Sequence, residues 1–286
     1  LLATVLFTLS PLFLIQSATF LSYMTSLLLN LIFAFLIVRG TRTGSALLLL
    51  CSGLALGISF IARPFDAILF GIPFSLLFLI GLSRHVRQTL RNAANVGIGI
   101  IPPLVVGLAI NFILSGNLLL FPFSLYEPLD TLGVGLRRSH PDEAPIEYDL
   151  AKGIIGLRSS VFELSFWIFG GPLLAFLGYL GIILSRWTTW KIIAILLLVT
   201  VPVGYIFFWG SYNLAVLWKG DEYLGPFYCI PMLIPITLLG TFGLARIMGW
   251  RPIVALTILL VMLVIDARLM LTYIDRNFAY TQEKRT

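Results

Sequence analysis

The chain has 286 residues, of which 59% are hydrophobic and only 11% charged, and its 19 Lys and Arg against 13 Asp and Glu give a formal net charge of +6. Soluble domains carry about 25% charged residues, so the composition excludes an ordinary soluble globular protein and indicates an integral membrane chain. Nucleic acid is not the implied partner, because the basic residues stand in short clusters at the ends of apolar stretches, where anionic headgroups lie, and no soluble basic face is left.

A hydrocarbon core about 30 Å thick takes roughly 20 apolar residues per helix, somewhat fewer where flanking side chains snorkel. On that measure about nine spans are expected, at residues 1–16, 21–38, 45–62, 67–82, 93–115, 161–184, 192–209, 228–245 and 252–271. Backbone groups in lipid must be satisfied within the segment, and the apolar runs lack the period-two alternation of a membrane barrel, so the spans are expected to be helices. The predicted fold class is therefore all-α: a polytopic integral membrane protein with outer-face loops, forming one membrane domain over 1–286. Pro102 and Pro103 are expected to kink the fifth span, Gly170-Gly171-Pro172 to loosen the sixth, and Pro231 and Pro235 to bend the eighth. Trp187, Trp190 and Trp250 mark one membrane interface and Trp209 and Trp218 the other. The chain starts Leu1-Leu2-Ala3, without an initiator Met or a basic region ahead of the apolar run, so it does not read as a signal peptide and is expected to be a fragment lacking its beginning.

The gaps between spans fall into two alternating sets. One holds Arg39, Arg42, Arg84, Arg87, Arg91, Arg186, Lys191, Arg246 and Arg251, with no Asp or Glu, and the other holds almost every carboxylate. Lys and Arg are retained on the cytoplasmic side, which predicts a multi-pass protein of the cell membrane whose acidic face is extracytoplasmic.

The longest polar stretch, 116–160, carries Glu127, Asp130, Asp142, Glu143, Glu147 and Asp149 against Arg137, Arg138, Lys152 and Arg158. Its first part, Leu118 to Phe123, is too short to span and is broken by Pro122, so it is expected to lie in the interface. Glycines at 133 and 135 allow close backbone approach, and the forked donors of Arg137 and Arg138 suit a phosphate. The competing reading is a surface loop whose arginines meet headgroups or its own carboxylates. Arg63, in Arg63-Pro64-Phe65-Asp66, falls at the outer membrane boundary, where a charge is costly unless paired or facing water; it holds a lipid-linked phosphate or pairs with Asp66 across the turn. In Lys219-Gly220-Asp221-Glu222-Tyr223, adjacent carboxylates beside an aromatic suit a sugar or a metal ion, and equally suit a solvated turn. Asp266 and Arg268 read as a structural pair.

Cys51 and Cys229 fall in or beside apolar spans and read as packing residues, while His85 and His140 lie on opposite predicted sides, so no His or Cys metal cluster can be assembled. The sequence contains no Walker loop, dinucleotide fingerprint, nucleophile elbow or zinc motif. Chemistry on a soluble cofactor is not indicated. A divalent metal ion stays open.

Ser10-Pro11-Leu12-Phe13, Leu21-Ser22-Tyr23, Ala62-Arg63-Pro64, Asn111 through Gly116-Asn117 to Phe121-Pro122, the block from Pro128 to Arg138, and Gly225-Pro226-Phe227-Tyr228 together resemble the membrane glycosyltransferases of the GT-C superfamily. The likeness is to the bacterial and archaeal relatives of protein O-mannosyltransferases and aminoarabinose transferases. It implies an enzyme that moves a sugar from a polyprenyl-phosphate donor to an acceptor glycan, lipid or protein on the outer face. It further implies a catalytic acid in a first outer loop, which is expected to lie ahead of Leu1. Related sequences often carry an arginine where this chain has Phe227, which shifts donor-phosphate binding to Arg63, Arg137 and Arg138. Tyr126, Glu127, Asp130, Asp221, Glu222 and Tyr223 are then expected to shape the sugar or acceptor pocket. Membrane lipids are the surrounding partner. A transporter or flippase, and a non-catalytic scaffold of the same fold, are the alternatives.

Overall fold

A computed structural model describes residues 1–19, 21–82 and 85–283, with side chains to residue 276. Arg84, one of the nine basic residues above, lies outside the described residues.

The chain opens with α1 (Leu2–Thr8) and α2 (Pro11–Ser17), followed by α3 (Tyr23–Thr43), α4 (Ala46–Ala62), α5 (Pro64–Leu82) and α6 (Val86–Ser115). A loop holding the one-turn α7 (Phe123–Tyr126) and a ribbon of β1 (Gly135–Arg137) and β2 (Ile146–Tyr148) leads into α8 (Leu150–Trp167) and α9 (Pro172–Leu184). Then come α10 (Thr189–Tyr205), α11 (Trp209–Tyr212) running into a π-turn at Asn213–Leu217, and the one-turn α12 (Asp221–Leu224). A 3-10 turn at Phe227–Met232 enters α13 (Leu233–Trp250), and α14 (Pro252–Glu283) is the last described element.

This is an all-α membrane protein. Among the described residues five helices are long and apolar enough to cross a bilayer, and up to seven if each of two bent pairs is one span, against the nine read from the apolar runs. The expected first span, 1–16, is two seven-residue helices instead. Pro11 has no N–H to continue a helix, and Ser10 leaves the helical region with ψ 131. The Gly170-Gly171-Pro172 break does bend its span, by 100° between α8 and α9, and α10 meets the 209–217 segment at 86°. Pro102 and Pro103 sit inside α6, which stays one element across them. Trp209 is buried at this second bend, whereas Trp187, Trp218 and Trp250 are exposed; a bent span draws its corner residue into the core and off the interface. Ile98, Val105 and Ile113 on α6 and Ile253, Leu256, Val264 and Leu271 on α14 are also exposed. Water-soluble proteins rarely leave so much contiguous apolar surface bare.

The helices gather into two compact units, Ser22–Tyr148 and Leu1–Leu21 with Asp149–Thr286. In the Ser22–Tyr148 unit, α4 lies against α6 at backbone distance. A Cβ on Gly53 would stand 2.0 Å from the Val96 carbonyl oxygen, and one on Gly99 would stand 2.1 Å from that of Leu50. Lipid tails are as apolar as leucine, so membrane helices associate through such close approach and through polar contacts rather than through hydrophobic burial. The polar contacts are present on α3 and α4: Ser59 Oγ donates to Asn30 Oδ1 at 3.0 Å and lies 3.0 Å from Ser26 Oγ.

The other unit repeats the device with α9 and α13, where a Cβ on Gly181 would meet the Leu239 oxygen at 2.0 Å and one on Gly243 the Leu177 oxygen at 2.1 Å. Its bend at Gly170 needs glycine twice over. The residue has φ +71, and a Cβ there would strike Met262 of α14 at 2.6 Å.

Gly53→Ala is expected to lower stability by about 1–3 kcal/mol through overpacking against α6. Gly97 of α6 has nothing within 4 Å of its Cβ position, so Gly97→Ala should be neutral or stabilising by up to about 1 kcal/mol. Thermal unfolding of the two variants in detergent checks the contrast, and equal melting temperatures would remove the close-contact account.

Candidate functional site

The sequence-predicted residues divide between the units. Arg63, Tyr126, Glu127, Asp130, Arg137 and Arg138 belong to Ser22–Tyr148, and Asp221, Glu222 and Tyr223 to the other unit.

Arg63 caps α4 at the tight junction with α5, and its guanidinium lies 3.7 Å from the Tyr23 ring centroid. Its Nε donates to Asp66, which is buried in the first turn of α5. A carboxylate in that turn is favoured by the helix N-terminus, so the local pairing weighed from the sequence is present. The arginine is nevertheless partly exposed.

In the 116–148 loop, Glu127 is the organising side chain. It is buried, its Oε1 accepts from the Leu129 N–H at 2.9 Å, and its Oε2 accepts from Arg138 Nε at 2.7 Å. Removing one partner of such a buried pair costs far more than an exposed pair is worth. Arg138 also donates through Nη1 to the Pro141 carbonyl at 3.0 Å. Arg137 donates to the carbonyls of Leu132, Gly133, Val134 and Leu136 at 2.8, 3.2, 2.9 and 2.7 Å. A guanidinium has five N–H groups, so Arg137 spends four on its own loop, while among the described residues Arg138 donates through two. Gly133 and Gly135, at φ +88 and +124, let the backbone wrap Arg137 in this way. The exposed Tyr126 hydrogen-bonds His140, and Asp130 is half-buried. The ribbon register, Gly135 opposite Tyr148 and Arg137 opposite Ile146, closes the loop.

In the second unit, Gly225 at φ +75 ends α12 where a Cβ would strike Leu12 at 2.6 Å and Trp167 at 2.8 Å, so the turn packs against α2 and α8. Gln16 of α2 donates through Nε2 to the Leu224 carbonyl at 2.7 Å, satisfying an end group of α12. This packing buries Asp221 to 2% exposure. The backbone N–H groups of Asp221 and Glu222 donate to its carboxylate, yet Oδ2 has no hydrogen-bond partner among the described residues. Burial, together with the Glu163 and Glu222 carboxylates, pushes its pKa from 3.8 to about 7 against the pull of those N–H groups. Asp221 therefore divides between acid and carboxylate near neutrality, able to give or accept a hydrogen bond.

Glu163 is the residue sequence reasoning missed. It falls inside the apolar 161–184 run, and α8 brings it into electrostatic contact with Asp221, Glu222 and Arg276. Its helix neighbour Trp167, four residues on, stacks on Tyr273 of α14 with centroids 3.8 Å apart. The only signal in the sequence was a lone carboxylate in an apolar stretch, which is costly without a reason. Asp266 is buried and takes a hydrogen bond from the Gly170 backbone, while Arg268 is exposed. Two residues on a helix do not face each other, and no Asp266–Arg268 ion pair forms. Among the described residues no group of three or more His, Cys, Asp or Glu side chains is arranged to hold a metal ion.

Comparison with protein-family models, curated proteins and solved structures gives no match.

Asp221→Asn tests the carboxyl's environment. Because the folded-state pKa is raised, the protonated form is favoured by folding. Its contribution is full below pH 3.8 and is lost as the pH rises to about 7. The Asn variant should therefore gain thermal stability relative to wild type across that window and keep the gain above it. A pH-independent difference in melting temperature would refute this.

Proposed function

We propose that the chain forms part of a glycosyltransferase that moves a sugar from a polyprenyl-phosphate donor to an acceptor on the extracytoplasmic face of the cell membrane. The observation that carries the reading is Asp221, a buried carboxyl outside the apolar spans with one oxygen unpartnered among the described residues and Glu163 and Glu222 beside it. Such a group suits a sugar or acceptor hydroxyl, which offers both a donor and an acceptor. The alternation of acid-free basic junctions with acidic loops supports the outer location. Tyr126, Glu127 and Asp130 belong to the proposed sugar-side loop, with Glu127 acting through Arg138. Arg63, Arg137 and Arg138 are the proposed holders of the donor phosphate, where electrostatic stabilisation of the leaving phosphate is their contribution. Arg138 is favoured over Arg137 because more of its donors are uncommitted.

A second reading, a transporter or flippase, draws on one observation. Asp266 is buried in the apolar α14 with Oδ1 unpartnered among the described residues, and an ionisable group inside a span marks proton or substrate paths by default.

Full-length protein in proteoliposomes, given a radiolabelled polyprenyl-phosphate sugar, is expected to form a covalent product. Asp221→Ala should raise KM for the acceptor about tenfold or more, the worth of a hydrogen bond to a charged group, and Arg138→Ala should raise KM for the donor. Absence of product, with counterflow of labelled substrate, would transfer the assignment to the transporter.

A further inference from the structure

At the junction of α9 and α10, against the last turns of α13, lies an open groove of about 370 Å³ lined by Leu184, Ser185, Arg186, Thr188, Phe242 and Arg246, among others. Small-molecule sites run from about 300 to 1,000 Å³. Two arginines share this groove. Arg186 has no hydrogen-bond or ion-pair partner among the described residues, and Arg246 rests on the Trp250 ring at 4.7 Å.

A third cation stands behind them. Lys191 is wholly buried, and its Nζ donates to the carbonyl of Ser185, a groove residue, at 2.9 Å while lying 4.4 Å from the Trp187 centroid. A carbonyl and a ring face solvate the ammonium without neutralising it. No acid is near in the sequence either, for residues 168–220 and 223–265 contain no Asp or Glu. The C-termini of α9 and α13 supply roughly half a negative charge each, and the N-terminus of α10 opposes them. Three cations against at most about one compensating charge leave roughly two uncompensated. Uncompensated positive charge gathered around one groove draws an anion to it.

We propose that this groove binds the phosphate of an anionic phospholipid headgroup, with Arg186 and Arg246 as its direct ligands and Lys191 as the buried charge that supports them. The phosphate is held by the forked donors of both arginines. Thr188 Oγ1 accepts from the Lys191 N–H at 3.2 Å, keeping the groove edge in place. The exposed Trp187 and Trp250 flank the site with the amphipathic rings that favour the headgroup layer. The site is independent of the transferase reading, involving none of its residues.

The experiment is native mass spectrometry of the full-length protein with phosphatidylglycerol, phosphatidylcholine or inorganic phosphate, compared with Arg186→Gln, Arg246→Gln and the double variant. Each arginine near a membrane surface contributes about fivefold to affinity for an anionic lipid, so the double variant should bind phosphatidylglycerol about thirtyfold more weakly. Phosphatidylcholine binding should be unchanged. Both arginines are exposed, so the single variants are expected to fold as wild type, and their melting temperatures verify it. Phosphatidylglycerol retained equally by wild type and variants, or no better than phosphatidylcholine by wild type, would overturn the site. Thermal protection of wild type alone by inorganic phosphate, with no lipid retained, would overturn the lipid and assign the groove to a soluble phosphate.

Discussion

An apolar solvent offers a backbone no hydrogen bonds, and that constraint organises the molecule. Each long apolar run must satisfy its own amides, which makes it a helix, and every departure from helix must find other partners. The departures are few and local. At the α8–α9 bend the Gly170 N–H is taken by Asp266, and Gly171 bonds the Ile168 carbonyl at 2.9 Å. At the second bend, Ser211 Oγ donates to the Phe208 carbonyl at 2.8 Å. Some of the buried polar side chains therefore stand where a helix has been interrupted, and others, such as Ser26, Asn30 and Ser59, join one helix to the next.

Within each unit, helices are joined by approach rather than by burial. The α4–α6 and α9–α13 pairs both depend on glycine presented to a facing carbonyl, at 2.0–2.1 Å from where a Cβ would sit. Side chains would hold these backbones apart, and lipid would compete for the surface they exposed. A rigid pair on this principle can carry a loop at its end. The loop after α6 is held by Glu127 and Arg137, which bond backbone carbonyls and amides so thoroughly that residues 116–149, between α6 and α8, need only one helical turn and a two-stranded ribbon.

The two ends of the Leu1–Leu21 and Asp149–Thr286 unit differ in chemistry for the same reason. Where α12 turns against α2 and α8, carboxylates collect with no full complement of donors, and Asp221 is driven toward its neutral form by burial. Where α9 gives way to α10, cations collect with no carboxylate at all. The proposed ligands differ accordingly, a hydroxyl at the first cluster and a phosphate at the second.

The all-α membrane class followed from composition and run length alone, because about 20 apolar residues admit no other folded form in lipid. The proline and glycine break at 170–172 was equally legible, since a missing N–H and a positive φ are local properties. The split of the first apolar run at Ser10-Pro11 has the same local cause, whereas the burial of Trp209 in a bend and not at an interface depended on neighbours distant in sequence. The same holds for the sites. Asp221 and Arg138 could be named from their loops, but Glu163 joins Asp221 only because α8 packs against α12, and Arg137 is committed to four carbonyls only because its loop closes on it. Sequence by itself decided which segments avoid water and where charge is tolerated, since hydropathy and backbone chemistry are carried by each residue. Only the tertiary structure decided which charges are answered and which stand open, because that depends on what the other helices bring within a few ångströms.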